Sequence, residues 1–189
     1  MRKRELEDLA ISFIVLLLIF SDFRPRLMLF VAPALFTAFV LHELAHRQVA
    51  RHYGYVAYYK RWDFGIAVAL VLGMLSKLLT GSSWVFAAVG AVYIYAPYQY
   101  WQDRRSEGMI ALAGPLTNIL VAITAIAILK VVSMNPHAWL LLSYMAHVNA
   151  WLAFFNLLPF PPLDGFKVFK WNPGYWAVLE GLSFMLYYV

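Results

Sequence analysis

The stretch His42-Glu43-Leu44-Ala45-His46 ends an uncharged run, Leu27 to Leu41, that is too apolar for a solvent-exposed helix. Two histidines four residues apart lie one above the other on one face of an α-helix. Their imidazoles can therefore bind a single zinc ion, and Glu43 can reach a water at that metal as a general base. Because ionisable side chains are costly inside an apolar helix, we interpret the pentapeptide as a functional site rather than a chance match.

The composition predicts a membrane protein. Of the 189 residues, 63% are hydrophobic and 13% are charged. Soluble domains are about half apolar and about a quarter charged. The chain has room for about five or six transmembrane helices of roughly 20 residues each. We therefore expect an all-α polytopic membrane protein in which residues 1–189 form a single transmembrane domain.

The absence of cysteine limits the chemistry that the chain can perform. Disulfides, thiolate metal sites and cysteine nucleophiles are all excluded. Any metal ion must therefore be bound by histidine, aspartate or glutamate side chains.

The net charge of +5 comes from basic clusters beside the apolar runs. This pattern indicates orientation in a lipid bilayer rather than binding to nucleic acid. One cluster follows the motif helix, which we expect to span about residues 27–52. By the positive-inside rule, that end of the helix and the amino terminus both lie in the cytoplasm. The residues of this cluster are Arg47, Arg51, His52, Lys60 and Arg61.

The segment from about residue 83 to 95 combines β-branched and aromatic residues with a central Gly90. This pattern favours a short membrane-embedded β-hairpin, with Gly90 in its turn, over another helix. A transmembrane helix with a central glycine is the alternative that fits the topology equally well. Open strands cannot face lipid, but an extended substrate could pair with a strand edge here. The candidate substrate contacts are Val85, Phe86, Val92, Tyr93 and Ile94.

Two later segments carry polar motifs. A helix over about residues 106–132 contains Gly114 and Asn118, which favour close packing between helices. The segment over about residues 138–166 ends in a proline-rich break before Asp164, and Gly165 permits a tight turn there. A catalytic zinc needs three protein ligands, and the predicted orientation puts Asp164 at the depth of the two motif histidines. Asp164 is thus the candidate third ligand, and a loop aspartate that caps a helix is the alternative.

Asn156 has two interpretations that the sequence leaves open. Its amide could donate to a developing oxyanion without adding charge beside zinc, or it could hydrogen-bond between helices. His147 and Glu180 are ionisable groups in apolar surroundings, and we assign neither of them to catalysis.

Three motifs, taken in order, resemble those of the site-2 protease family of intramembrane zinc metalloproteases. They are His42-Glu43-Leu44-Ala45-His46, Gly114-Pro115-Leu116-Thr117-Asn118, and Asn156-Leu157-Leu158-Pro159 leading to Leu163-Asp164-Gly165. The resemblance covers roughly residues 27–170. We find no PDZ insertion and no nucleotide-sensing tail, as expected of a minimal prokaryotic core.

The resemblance implies that His42, His46 and Asp164 bind one zinc ion. It also implies that Glu43 is the catalytic base, that Asn156 assists the substrate carbonyl, and that an extended segment before the Gly-Pro helix receives substrate. The implied activity is that of an intramembrane zinc endopeptidase. Such an enzyme cuts membrane-spanning proteins or peptides near the cytoplasmic side, as in regulated intramembrane proteolysis.

Two other functions compete with this one. A membrane metal transporter also carries histidine and glutamate on its helices, but it needs ligands at successive depths, whereas this chain clusters them near one face. A catalytically inactive relative that binds membrane clients is disfavoured by the complete ligand set with Glu43. We expect a multi-pass protein of a prokaryotic cell membrane, with a cytoplasmic amino terminus. The sequence indicates neither the particular substrate nor the oligomeric state.

Overall fold

The computed structural model describes residues 3–83, 89–95 and 103–189 of the chain. Within those residues the fold is mainly helical, with one small β-sheet, as predicted. In chain order, the elements are α1 (Lys3–Phe20), α2 (Pro25–Leu35), a π-helical turn (Phe36–Leu41), α3 (His42–His52), β1 (Val56–Arg61), α4 (Asp63–Thr80), β2 (Gly90–Tyr95), α5 (Arg104–Val131), α6 (Pro136–Leu157), α7 (Asp164–Trp171) and α8 (Pro173–Tyr187).

The helix that carries the histidine motif is irregular just before the motif. α2, the π-helical turn and α3 follow one another without a gap, in agreement with the predicted helix over 27–52. Pro33 lies inside α2 and cannot donate a backbone hydrogen bond, and Thr37 donates its hydroxyl to the carbonyl of Ala34 at 2.8 Å. A π-helical turn widens the helix and rotates the residues that follow it. Because this turn ends at Leu41, it sets the direction in which the His42 and His46 side chains point.

Two buried asparagines from neighbouring helices bind this irregular segment. Asn118 of α5 donates its amide to the carbonyl of Ala38 at 3.1 Å, and Asn149 of α6 donates to the Thr37 hydroxyl at 2.8 Å. Both asparagines are fully buried. Lipid offers no hydrogen bonds, so these two amides provide polar groups of the irregular turn with partners that lipid could not supply. The packing role expected of Asn118 is consistent with this contact, whereas the sequence analysis did not single out Asn149.

Helix α5 lies at the centre of the bundle, packed against α3, α6 and α7. Its buried face is built largely from small residues, including Ala111, Gly114 and Ala122. Small side chains let the backbones of neighbouring helices approach closely, which is how helices associate in lipid. At Gly108, a Cβ atom would lie 2.4 Å from the side chain of Trp171 in α7. The absence of a side chain at this position therefore sets the spacing between α5 and α7.

β1 and β2 form a two-stranded antiparallel sheet in which Val56 pairs with Tyr95 and Arg61 pairs with Gly90. The predicted β-structure before the Gly-Pro helix is therefore present, but its pairing differs from the prediction. The partner strand comes from before α4, and Gly90 begins β2 instead of forming a turn. The physical reason lies in the packing, since a Cβ at Gly90 would lie 2.2 Å from the hydroxyl oxygen of Tyr59.

A buried polar network attaches α1 to this sheet. Glu5 accepts hydrogen bonds from the Arg47 guanidinium at 2.9 Å and from the backbone N–H of Tyr59 at 3.2 Å. Seven residues further along α1, Ser12 accepts a hydrogen bond from the Tyr59 hydroxyl at 2.8 Å. Residues seven apart lie on the same face of a helix, so one face of α1 holds β1 in place.

Helix α7 begins at Asp164, directly after the proline-rich loop. Gly165 therefore lies inside a helix, and the tight turn predicted for it is wrong. Its role is close approach, because a Cβ there would lie 1.8 Å from the carbonyl oxygen of Leu157, the last residue of α6. That same carbonyl accepts a hydrogen bond from the Trp176 indole at 2.7 Å. The first turn of α7 is thus held against the end of α6, and this contact positions Asp164.

Four helices in the described residues are long and apolar enough to cross a membrane, so the prediction of five or six is not confirmed. They are Pro25–His52, Asp63–Thr80, Arg104–Val131 and Pro136–Leu157. The two remaining predicted spans correspond to α1 and α8. α1 carries five charged residues between Lys3 and Asp8. α8 has 15 residues, fewer than the roughly 20 that a bilayer requires.

We predict that Arg47→Met destabilises the protein by about 3–5 kcal/mol, because it leaves the buried Glu5 carboxylate without its cation. The measurement is thermal unfolding in detergent. Arg24→Met is the matched control, since the Arg24 side chain is 62% exposed in its ion pair with Asp22 and surface pairs contribute about 1 kcal/mol or less. Equal losses in the two variants would contradict a structural role for the buried pair.

Candidate metal centre

The two motif histidines lie one turn apart on α3, and both are buried. The Nε2 atoms of His42 and His46 are 2.9 Å apart, and their rings meet edge to face with centroids 4.6 Å apart. The structure therefore directs both Nε2 atoms at the same point, as expected from the spacing of four residues.

Asp164 completes a triangle with these two atoms. Its Oδ2 atom lies 3.4 Å from Nε2 of His42 and 3.1 Å from Nε2 of His46. The three ligand atoms all lie within 4.8 Å of one another. The structure thus brings together the three residues predicted as metal ligands, although α7 and α3 are far apart in sequence.

The ionisation state of Asp164 suits a metal ligand. Burial alone would raise the pKa of this carboxyl group. The neighbouring imidazoles of His46 and His42 outweigh that effect and hold the pKa of Asp164 well below its usual range. The side chain is therefore present as a carboxylate, which is the form that binds metal.

These distances fit a zinc ion. Zinc ligands lie at about 2.0–2.2 Å in a tetrahedral arrangement, which puts neighbouring ligand atoms about 3.3 Å apart. The separations of 2.9, 3.1 and 3.4 Å therefore require shifts of only a few tenths of an ångström to accept the ion. Two histidines and one carboxylate supply three ligands and leave a fourth position open, as in catalytic zinc sites.

Gly114 of α5 borders the space where the metal ion would lie. A Cβ atom at this position would lie 2.3 Å from Nε2 of His46 and 2.5 Å from Nε2 of His42. A side chain here would thus occupy nearly the same volume as the ion. The sequence analysis assigned Gly114 to helix packing, and the structure adds that the missing side chain makes room for the metal.

The carbonyl of Ile110 orients His46. Nδ1 of His46 lies 2.7 Å from the carbonyl oxygen of Ile110, which can only accept a hydrogen bond. Nδ1 must therefore carry the proton, so the lone pair of Nε2 is free for a metal ion. Sequence reasoning could not find this contact, because a backbone carbonyl has no residue-specific signal.

Glu43 lies next to the ligand triangle without joining it. Its side chain lines the cavity that contains His42, His46 and Asp164, and the backbone N–H of Val92 lies against its carboxylate. This is the placement that a base acting on water beside the metal requires. The role itself stays a prediction.

Two cavities meet at this site. The first, of about 470 Å³, extends from the metal ligands along β2 to the charged residues Glu107 and Lys167. The second, of about 360 Å³, lies between α1 and α6 and is lined mostly by apolar side chains. The residues that border both cavities are His42, Glu43, Gly90, Asn156, Pro162 and Leu163. The predicted base and the predicted carbonyl donor thus lie at the boundary between a cavity with charged residues along its wall and a mostly apolar cavity.

Asn156 borders the site near the end of α6. Its Nδ2 atom donates to the carbonyl of Leu152 at 2.9 Å, within its own helix. An amide nitrogen carries two hydrogens, so a second hydrogen remains to donate to a substrate. The geometry is therefore compatible with the role expected from the resemblance and does not decide between that role and helix packing.

The predicted substrate contacts divide into two groups. Val92, Tyr93 and Ile94 lie in β2 and line the larger cavity. Val85 and Phe86 lie outside the described residues. His147, left unassigned from the sequence, lies away from the site and contacts Tyr187 of α8.

One edge of β2 faces the site with its backbone groups. In β1, the N–H of Tyr59 points to Glu5 and the carbonyl of Ala57 points to Arg51, so both residues turn away from β2. In an antiparallel pair, residues opposite such positions also turn their N–H and C=O groups away from the partner strand. Val92 lies opposite Tyr59, and Ile94 lies opposite Ala57. Val92 and Ile94 therefore present their backbone groups at the edge that no described strand covers.

The sequence analysis missed β1, the strand that holds this edge in place. The run Val56-Ala57-Tyr58-Tyr59 is β-branched and aromatic and follows Gly54, which is a usable strand signal. The sequence analysis used only Lys60 and Arg61, directly after this run, as part of a basic cluster.

Comparison with known proteins identifies relatives along nearly the whole chain. The chain is 39% identical over 189 residues to "Putative zinc metalloprotease MJ0611" of Methanocaldococcus jannaschii, covering 98% of this chain and 94% of that relative. It is 28% identical over 159 residues to "Putative zinc metalloprotease YwhC" of Bacillus subtilis, covering 76% and 69%. It is 26% identical over 136 residues to "Zinc metalloprotease MJ0392" of M. jannaschii, covering 72% and 32%. No protein-family model and no solved structure matches the chain.

The names of these relatives give the class, the zinc metalloproteases, and the apolar helices and the buried cluster of two histidines and one aspartate are consistent with it. The identity of 39% to the first of these relatives, over nearly the full length of both chains, shows that the two proteins belong to one family. The chain belongs to the site-2 protease-like family of zinc metalloproteases.

We predict that Gly114→Ala abolishes zinc binding, because the added methyl group would occupy the space between the two imidazoles. The measurement is the zinc content of purified protein by mass spectrometry. Gly181→Ala is the matched control, since Gly181 also lies in a helix and a Cβ there meets nothing within 4 Å. Wild-type zinc content in Gly114→Ala would show that the metal lies elsewhere.

Proposed function

We propose that this protein is an intramembrane zinc endopeptidase that hydrolyses peptide bonds of membrane-spanning substrates. The observation that carries the proposal is the position of the ligand triangle and Glu43, which lie beside helices of membrane-spanning length where two cavities meet. A single described group of metal-binding side chains favours catalysis over transport, because a transport path needs ligands at successive depths.

The chemistry needs both water and a peptide carbonyl at one point. A bound zinc ion would polarise the carbonyl and increase the acidity of water. Glu43 then removes a proton from the water as its oxygen bonds to the carbonyl carbon. Asn156 donates a hydrogen bond to the carbonyl oxygen as negative charge develops there. When the C–N bond breaks, Glu43 delivers the same proton to the leaving nitrogen, so protons and charges balance.

The two cavities suit the two reactants. The larger cavity has the charged groups of Glu107 and Lys167 along its wall, which favours access by water. The smaller cavity is lined by Leu16 and Phe20 of α1 and by Trp151 and Phe155 of α6, which favours an apolar polypeptide segment. Glu43 borders both cavities, so water and substrate can meet there without opening the whole site to solvent.

The open edge of β2 suits the conformation that a scissile segment must adopt. A helical substrate shields its carbonyls by internal hydrogen bonds, so the segment to be cut must unwind. Unwinding leaves backbone groups that lipid cannot satisfy. The N–H and C=O of Ile94 and the C=O of Val92 can satisfy them by accepting the substrate as a third strand beside β2, while the Val92 N–H lies against the Glu43 carboxylate. Side chains along this edge would then select among substrates.

The cellular setting follows from the same features. Four apolar helices support a multi-pass membrane protein, and the relatives are archaeal and bacterial, which supports a prokaryotic cell membrane. Glu5 near the amino terminus binds Arg47 near the end of the motif helix, so both lie on the same side of the bundle, and the basic residues there favour the cytoplasmic side for the amino terminus and for cleavage. A role in regulated intramembrane proteolysis, with a transmembrane protein or peptide as substrate, is part of the proposal.

We predict that Glu43→Gln abolishes cleavage of a purified single-span substrate while the zinc content stays near one ion per chain. The glutamine cannot accept a proton, and Glu43 is not one of the ligands. Asp164→Ala is the contrasting variant, because it removes a ligand and should lower both zinc content and cleavage. Wild-type protein treated with a zinc chelator provides the inactive reference. Continued cleavage by Glu43→Gln would disprove the assigned base.

We predict that Ile94→Pro reduces substrate cleavage severalfold with little loss of thermal stability. Its N–H lies on the open edge, so proline removes a hydrogen bond to substrate and none to β1. Tyr93→Pro is the control, because Tyr93 lies opposite Tyr58 in a hydrogen-bonded pair and proline there breaks the sheet. Cleavage rate and unfolding temperature are measured for both variants. A stable Ile94→Pro protein that cuts at the normal rate would contradict strand pairing at this position.

A further inference from the structure

The buried amide of Asn118 lies where α5 meets the histidine helix, and it faces His42. We infer that Asn118 is a positioning residue that holds the His42 ring with Nε2 toward the metal. This inference rests on the proposed metal site and extends it by one residue that does not bind the ion. Helix packing alone would allow an amide at position 118, and the inference gives that amide a chemical role toward His42.

The orientation of the Asn118 amide is fixed by its first contact. Its Nδ2 atom donates to the carbonyl of Ala38 at 3.1 Å, and a carbonyl oxygen can only accept. The amide oxygen Oδ1 must therefore point the other way. His42 lies four residues after Ala38 on the same helix, and the Asn118 side chain acts on its ring. Neither the Asn118 oxygen nor Nδ1 of His42 makes a hydrogen bond to any described residue, although both atoms are buried, so each is available to the other.

The tautomer of His42 makes this contact chemically necessary. A metal ion at the triangle needs the lone pair on Nε2, which lies 3.4 Å from Asp164 and 2.9 Å from His46. A neutral imidazole with a free Nε2 lone pair carries its proton on Nδ1. A buried N–H group without an acceptor is unfavourable, and Oδ1 of Asn118 is the acceptor that the structure offers.

His46 shows the same arrangement with a different partner. Its Nδ1 atom lies 2.7 Å from the carbonyl of Ile110, one helical turn before Gly114 on α5. Asn118 lies one turn after Gly114 on the same helix. Helix α5 therefore carries two hydrogen-bond acceptors, one on each side of Gly114. The carbonyl of Ile110 serves the ring of His46, and Oδ1 of Asn118 serves the ring of His42. Partners of this kind fix the ring orientation and increase the basicity of the ligand.

The π-helical turn supports the hydrogen bond from Asn118 to the carbonyl of Ala38. In a regular α-helix, the carbonyl of Ala38 would accept the backbone N–H of His42, four residues later. Here that N–H bonds to the carbonyl of Phe39 instead. The irregular turn thus directs the Ala38 carbonyl toward Asn118, which in turn directs its own oxygen toward His42.

The test compares zinc affinity in purified variants by competition with a chelator. We expect Asn118→Leu, which has nearly the same volume, to weaken zinc binding about 10- to 100-fold, the usual effect of losing such a partner. We also expect the visible spectrum of the Co²⁺-substituted protein to change, because that spectrum reports coordination geometry. Asn118→Asp retains an acceptor toward Nδ1, so it should recover most of the zinc affinity, even where its stability is reduced.

Asn149→Leu is the matched control. Asn149 is equally buried and binds the same irregular helix, but its amide bonds to Thr37 and Met145 rather than to an imidazole. We expect this variant to lower the unfolding temperature and to leave zinc affinity and the Co²⁺ spectrum unchanged. Unfolding temperatures of the zinc-free proteins show how much of each effect is structural.

The inference is overturned if Asn118→Leu binds zinc as tightly as the wild type, or if Asn149→Leu weakens zinc binding equally. It is also overturned if Asn118→Asp binds zinc no better than Asn118→Leu. None of these readouts depends on proteolysis. A wild-type protein that binds zinc but cuts no membrane substrate would disprove the proposed function, and the affinity series would still decide the role of Asn118.

Discussion

The contact between α3 and α5 is the interaction on which the candidate metal centre depends. Helix α5 is apolar, so the hydrophobic effect gives it little reason to associate with another helix in lipid. Close approach at Gly114 gives the van der Waals contact, and it leaves the volume that an ion needs beside His42 and His46. The carbonyl of Ile110 then orients one of the two rings. A shift of α5 by a fraction of an ångström would therefore change the size of the site and the direction of its ligands together.

The rest of the fold supports this contact from two sides. On one side, α6 and α7 meet at Gly165, and this close approach brings Asp164 to the imidazoles. On the other side, α1 holds β1 through Glu5 and Ser12, and β1 holds β2 beside Glu43. Helix α1 has five charged residues near its start, and one of them, Glu5, binds both β1 and Arg47 of α3.

The sequence predicted which candidate ligands come together better than it predicted the frame around them. The proximity of His42, His46 and Asp164 was predictable because metal chemistry restricts both residue type and spacing. The close approaches at Gly114 and Gly165 were not, because a glycine in sequence does not reveal what lies against it. Gly165 looked like a turn residue, whereas it is a contact point inside a helix. The pairing of β2 with β1 was missed for a similar reason, since strand partners are decided by tertiary packing across α4 rather than by local composition.

The open edge of β2 has a consequence for inhibitor design. The backbone groups of Val92 and Ile94 lie along the cavity that also contains the metal ligands. A compound with an extended amide backbone and a hydroxamate at one end could pair with this edge and chelate the ion at once. Its two halves would contribute to affinity jointly, because binding of one half raises the effective concentration of the other. Selectivity against soluble zinc proteases would then come from the shape of the apolar cavity between α1 and α6.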